Sequence, residues 1–219
     1  MALNIGVLVS GSGSNLQSII DNVEQGKIDA RISVVISNIA GVFALERAKK
    51  HNIPTEVISH KDFKTREAFD AKLVEVLREY QVELVVMAGF LRVITKVLLD
   101  AYPMKVMNIH PALLPAFPGL HVQKQALDYG VKFAGCTVHF ADEGVDSGPI
   151  IIQGVVPIFD NDTEEILSKR ILSVEHKIYP AAIKLYAEGR LKVVDRRVII
   201  DPPIKTTESP YLINPPVEL

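Results

Sequence analysis

The chain has a single cysteine, Cys136, in 219 residues, which excludes an internal disulfide and fits a reducing compartment. Neither sign of charge is in excess: 24 Lys and Arg stand against 26 Asp and Glu, a net charge of -2. That balance gives no electrostatic case for nucleic acid as a partner. No apolar stretch approaches the roughly 20 residues that span a bilayer, and MALNIGVLVSGSGS lacks the basic start and longer apolar core of a secretory leader. A cytoplasmic protein that acts on small molecules is the expectation, without membrane or nucleic acid; monomer and homodimer are equally compatible with the sequence.

The residues that are present describe an α/β chain. Hydrophobic residues make up 48% and charged residues 23%, ordinary proportions with ample material for a core. NIGVLVS (4–10), ISVVIS (32–37), PTEVIS (54–59), ELVVMAG (83–89) and VMNI (106–109) are short Val/Ile-rich runs, the pattern of strands buried on both faces. Between them NLQSIIDNVEQG, VFALERAKKHN and REAFDAKLVEVLREYQ carry apolar residues at helical spacing, with Gly26 as a stop for the first. The alternation predicts a Rossmann-like, mostly parallel twisted sheet with helices on both faces.

After about residue 110 the pattern changes. A helix over 121–130 precedes strand-like runs at 134–142 and 148–158 joined by an acidic loop, and an antiparallel strand is expected in this carboxyl-terminal part. A long helix follows over about 163–187, with Thr163 or Asp162 as its cap. One domain is expected over 1–200, a phosphate-binding half (1–105) and a catalytic half (106–200), and then a tail over 201–219 rich in proline.

SGSGSNLQSII (10–20) lies between the first strand and the first helix, so backbone N–H groups gather at the positive end of a helix dipole. A dinucleotide fingerprint is incomplete here: Leu16 replaces its third glycine, and the end of strand two offers Asn38 rather than a carboxylate. A Walker lysine is also missing. What the residues support is a cradle for one phosphate, formed by Gly11, Ser12, Gly13, Ser14 and Asn15. The same residue types would also suit a glycine-rich turn with Ser14 or Asn15 capping the helix and nothing bound.

In VMNIHPALLPAFPG (106–119), strand alternation puts Asn108 and His110 on one face. At the carboxyl end of a parallel strand that face opens into the ligand crevice. An asparagine amide can donate to a developing oxyanion, and a histidine can exchange a proton near neutral pH. A carboxylate to orient such a histidine is available in ADEGVDSGPI (141–150), which supplies Asp142, Glu143 and Asp146. Competing structural readings are a turn-forming aspartate at 146 and a core histidine beside a cis or rigid proline at 110. His110, His121 and His139 match no common zinc spacing, so no metal is expected.

These residues resemble the folate-dependent formyltransferase family. The likeness rests on N-I-H-P-x-L-L-P-x-F-P-G at 108–119, D-x-G-P at 146–149 and S-G-x-G-S-N-L at 10–16, and continues in FKTREAFD (63–70), MAGFLRVI (87–94), GCTVHF (135–140) and SVEHKIYP (173–180). The resemblance implies formyl transfer from 10-formyltetrahydrofolate, the co-substrate, to the amine of a glycinamide ribonucleotide in purine synthesis. It puts Asn108, His110 and Asp146 at catalytic positions, the phosphate on residues 11–15 and the ribose against Glu175. Folate contacts are implied for Arg66, for Leu91, Arg92, Val93 and Ile94, and for Asp142, Glu143, Gly144 and Val145. Ala112 stands where many relatives have serine. A hydrolase of the same formyl donor and a silent module that binds nucleotide phosphate are the alternatives.

Overall fold

All four residues of LVVM at 84–87 are buried, and the apolar side chains of this strand and its neighbours alternate between two separate clusters. Leu84 and Val86 belong to one, Val85 and Met87 to the other. Such a strand is covered by helices on both faces, which is why it reads as an unbroken apolar run.

The computed structural model describes residues 2–204. Strands β1 (Leu3–Val9), β2 (Ala30–Ser37), β3 (Thr55–Val57), β4 (Leu84–Met87) and β5 (Val106–His110) alternate with helices α1 (Ser14–Glu24), α2 (Phe43–Lys50), α3 (Arg66–Glu79) and α4 (Lys96–Ala101). Helix α5 (Val122–Tyr129) is followed by β6 (Phe133–Phe140), β7 (Ile150–Pro157), the long α6 (Glu164–Ala187) and a hairpin of β8 (Leu191–Val194) and β9 (Arg197–Ile200). All nine strands form one sheet in the order β3-β2-β1-β4-β5-β6-β7-β9-β8. Pairing is parallel from β3 to β5 and antiparallel for β5–β6 and β6–β7. No helix among the described residues is long and apolar enough to cross a membrane.

The expected mixed sheet and long helix are present, with shifted ends. Thr163, rather than Asp162, caps α6 by accepting from Ile166 N; Asp162 instead pairs with Arg170 at 2.6 Å. Helix α4 and the β8–β9 hairpin were not anticipated. The six residues of α4 are too few for a helical period to show, and the hairpin turns at Asp195, which adopts positive φ without a glycine signal. The part of the proline-rich tail at 205–219 lies outside the described residues.

Two tethers fix the crevice end of the sheet. Tyr179 of α6, 0% exposed, directs its hydroxyl to the carbonyl oxygens of Met87 and Met107 at 3.0 and 2.9 Å, bridging the last residue of β4 and the second of β5. Gly13 sits at φ 71, and a Cβ there would lie 2.6 Å from Ala44 Cβ. Only glycine meets both conditions, so the loop after β1 packs directly on α2, with Ala44 N donating to Gly11 O at 3.1 Å.

Candidate active site

The strand order reverses direction between β1 and β4, and a cleft of about 480 Å³ opens beyond these carboxyl ends, where a doubly wound sheet leaves room for ligands. Its wall includes Asn15 and Glu175, Asn108, His110 and Asp146, and Leu91 to Ile94. An open groove of about 630 Å³ between α3 and α4, lined by residues such as Val74, Arg78 and Val97, contains none of the candidate residues.

Asn108 and His110 share a face of β5, as alternation requires, and the 141–149 loop returns Asp146 to them. Asp146 Oδ2 lies 3.3 Å from His110 Nδ1 and accepts from Gly119 N at 3.0 Å; Oδ1 accepts from Asn108 Nδ2 at 3.4 Å. His110 is buried at 4% exposure, and its Nε2 donates to Phe117 O at 2.9 Å. Both ring nitrogens thus face oxygens, one of a carboxylate and one of a backbone carbonyl. The His110 neighbour Pro111 does not follow a cis bond; the cis peptide in this loop is Leu114–Pro115. Asp146 itself has φ 52, and the loop approaches β6 so closely at Gly148 that a Cβ there would meet Phe140 O at 1.8 Å.

His139 is a member of this cluster, a role beyond the metal ligation that its residue type alone suggests. Its Nδ1 donates to Phe140 O at 2.9 Å, which leaves Nε2 to accept from Asn108 Nδ2 at 3.2 Å. Burial pushes its pKa down, in keeping with a neutral ring. The signal that locates it is register: Asn108 pairs with His139 across β5–β6, a pairing that one strand's sequence does not disclose.

At the glycine loop, the N-cap of α1 is Gly13 with no side-chain cap bond, so Ser14 and Asn15 do not cap this helix. Asn15, 8% exposed, instead donates through Nδ2 to Glu175 Oε2 at 2.7 Å, reaching from α1 to α6. Burial pushes the Glu175 carboxyl up, partly offset by this bond. Asn15 Oδ1 is buried with no hydrogen-bond partner among the described residues, a state that calls for a donor. Arg47 braces the loop from α2, donating through Nε to Ser12 O at 2.9 Å.

Of the expected folate contacts, Leu91, Arg92, Val93, Ile94, Asp142, Gly144 and Val145 line the cleft. Leu91 and Val93 are 68% and 49% exposed. Arg66 is an exposed residue at the start of α3 and Glu143 pairs with Lys96 at 3.2 Å; neither is in the cleft wall. Cys136 is fully buried and its thiol is pushed up to about 12 by burial, which removes it as a nucleophile. Among the described residues, no group of three or more His, Cys, Asp and Glu is arranged to hold a metal ion.

A doubly wound sheet whose crevice is lined by an amide, an imidazole and a carboxylate, and by Asn15 alone of residues 11–15, is that of an α/β protein suited to group transfer between bound ligands. The chain belongs to the formyl transferase family, whose model matches residues 3–183. It is 42% identical to the phosphoribosylglycinamide formyltransferase of Escherichia coli K12, over 91% of this chain and 94% of that protein. With the trifunctional purine biosynthetic protein adenosine-3 of Chironomus tentans it shares 49% identity over 88% of this chain, but spans only 14% of that protein. The crystal structure of glycinamide ribonucleotide transformylase 1 from Symbiobacterium toebii superimposes with a TM-score of 0.90 at 52% identity, covering 91% of this chain and 94% of that one.

Proposed function

We propose that this protein transfers the formyl group of 10-formyltetrahydrofolate to the amine of glycinamide ribonucleotide, giving formylglycinamide ribonucleotide and tetrahydrofolate. The observation that carries the reading is one cleft whose wall holds Asn15 and Glu175, the trio Asn108, His110 and Asp146, and the exposed apolar side chains Leu91 and Val93 together. A nucleotide and a folate bound in this cleft would both reach the trio. The likeness to transformylases over nearly their full length supports the choice of acceptor.

The nucleotide's phosphate rests on the N–H groups of residues 11–15, where the dipole of α1 favours an anion. Glu175 accepts from the ribose hydroxyls, and the unpaired Asn15 Oδ1 takes another donor from the same ligand. The pterin lies against Leu91 to Ile94 and the loop at 142–145. The glycyl nitrogen then attacks the formyl carbon, forming the new C–N bond and a tetrahedral oxyanion. Asn108 Nδ2 and the protonated His110 donate to that oxygen, and Asp146 stabilises the charge on His110. One such donor is worth about 2.7–4 kcal/mol of barrier. The proton lost by the amine passes to the folate nitrogen as its bond to the formyl carbon breaks, so no metal and no nucleoside triphosphate enters the balance.

His110 Nε2 is bonded to Phe117 O in the structure, and the long Asn108 Nδ2 to Asp146 bond of 3.4 Å occupies one amide proton. Each must be exchanged for a bond to the formyl oxygen as the donor enters, which assigns the 111–119 loop an adjustment on binding. The test is an assay of the purified protein with 10-formyltetrahydrofolate in the presence and absence of glycinamide ribonucleotide. Formylated nucleotide and tetrahydrofolate should form in equal amounts, with negligible turnover when water is the sole acceptor. Equal consumption of donor without the nucleotide makes the protein a hydrolase; no consumption in either case removes both readings.

A further inference from the structure

Asn38 stands where a dinucleotide fold would have its ribose-binding carboxylate, and the mechanism above has no use for it. It is 4% exposed, and Ser10, the last residue before the glycine loop, is 5% exposed. The two are bonded to each other: Ser10 Oγ donates to Asn38 Oδ1 at 2.6 Å. The same hydroxyl accepts from Leu91 N at 2.9 Å, and Ser10 N donates to Gly89 O at 3.0 Å. Asn38 is itself aimed by His60, whose Nδ1 lies 3.2 Å from Asn38 Nδ2. Since Ser10 Oγ is both donor and acceptor, its proton must point at Asn38 for its lone pair to face Leu91. Asn38 therefore turns the Ser10 lone pair toward the bond that Leu91 N donates.

The segment fixed in this way carries two large apolar side chains into the cleft. Phe90, just before it, stacks on Phe69 of α3 with centroids 6.4 Å apart. At its far end, Asp70, also on α3 and 1% exposed, accepts from Thr95 N and, at 2.7 Å, from Thr95 Oγ1. Between these buried anchors Leu91 and Val93 stand out at 68% and 49% exposure. Apolar side chains held open to solvent by a buried polar scaffold form a preformed wall for a flat ligand.

We propose that Ser10 and Asn38 are positioning residues that register the formyl-donor wall against the phosphate loop, so that the two substrates meet at the correct separation. Ser10 is the shared element: its backbone leads directly into Gly11, and its side chain holds Leu91. This rests on the transferase reading above, and it adds a hydrogen-bonded link from the residue before the glycine loop to the donor wall.

The test compares Ser10→Ala and Ser10→Thr in the full chain, measuring the KM for 10-formyltetrahydrofolate at saturating nucleotide, the Kd for glycinamide ribonucleotide, and Tm. Loss of the hydroxyl leaves Leu91 N–H unpaired, so Ser10→Ala should raise the donor KM about five- to thirtyfold while nucleotide Kd stays within about twofold. Ser10→Thr, which restores the hydroxyl, should recover most of the donor affinity. A general loss of structure would instead weaken both ligands by the same factor, and that result, or an unchanged donor KM, overturns the proposal. If Ser10→Ala is not recovered folded, Asn38→Ala leaves the Leu91 bond but frees the hydroxyl to rotate, and should raise donor KM alone by a smaller factor; no rise overturns it equally. Wild-type protein that fails to transfer formyl at all refutes the functional reading rather than this one.

Discussion

Replacing Asp146 by asparagine preserves size and shape while removing one charge. In the wild type Oδ2 accepts from Gly119 N at 3.0 Å and faces His110 Nδ1 at 3.3 Å, and Oδ1 faces Asn108 Nδ2 at 3.4 Å and His139 Nε2 at 3.8 Å. An amide has an oxygen at one end only. Turning its nitrogen toward Gly119 would set two donors against each other at 3.0 Å, so the oxygen stays on the Gly119 and His110 side and the nitrogen faces Asn108. The backbone bond to the 111–119 loop survives, and the fold should too. What disappears is the negative charge beside His110 when that ring carries both protons. At 3.3 Å and an effective dielectric constant of about 20, the Coulomb energy is about 5 kcal/mol, a ceiling because the Asp146 side chain keeps 14% exposure to solvent. The substitution also turns a donor from residue 146 onto the Asn108 amide, disturbing the second oxyanion group. Turnover should fall about 10²- to 10⁴-fold, with nucleotide Kd and circular dichroism unchanged. Steady-state formyl transfer by the purified variant measures it, and a kcat within about threefold of wild type would refute the role given to this carboxylate.

Three other perturbations test the scaffold. Gly13→Ala places a Cβ 2.6 Å from Ala44 Cβ at φ 71, and should cost about 1–3 kcal/mol of stability and most of the nucleotide affinity. Gly11→Ala, with nothing within 4 Å of the added atom, should leave Tm unchanged; identical thermal and binding behaviour of the two variants would argue against the packing of this loop on α2. Tyr179→Phe removes the bonds to Met87 O and Met107 O and should destabilise the protein by about 1–3 kcal/mol, read as a shift in the urea midpoint with unchanged m; an unshifted midpoint would show that the tether contributes nothing. Burial raises the Glu175 carboxyl pKa, so the folded state favours its protonated form. That contribution is complete below the unfolded pKa and is lost as pH rises through the folded value. Glu175→Gln has no proton to lose, so its stability relative to wild type should improve as pH rises from acid through the raised pKa, while nucleotide affinity drops; a stability difference independent of pH would contradict the sign.

What could be read from the chain followed the range of the interactions involved. Asn108 and His110 are two residues apart on one strand, so their common face is a local property of alternation. The glycine loop is local too, between a strand and a helix, although its cap is Gly13 and not the serine or asparagine that composition suggests. The contact of Asp146 with His110 closes a separation of 36 residues and has no local signal; only chemical need and resemblance point to it. His139 escaped as a partner of Asn108 because its place depends on the β5–β6 register. Ser10, Asn38 and Asp70 were invisible as supports because their partners lie at the ends of other elements, and a buried polar residue shows its purpose only when those ends are brought together. The β8–β9 hairpin adds a further link of this kind, with Arg196 Nη2 donating to Ser147 O at 2.6 Å in the loop that carries Asp146.

Under the proposed function the glycine loop selects the acceptor and delivers its amine to Asn108, His110 and Asp146. The most direct measurement is kcat/KM for glycinamide ribonucleotide against the same riboside without its phosphate, both at saturating 10-formyltetrahydrofolate. Charge-assisted bonds from the loop N–H groups to phosphate predict a preference of about 10²- to 10³-fold for the nucleotide. Equal efficiency with the two acceptors would contradict the account.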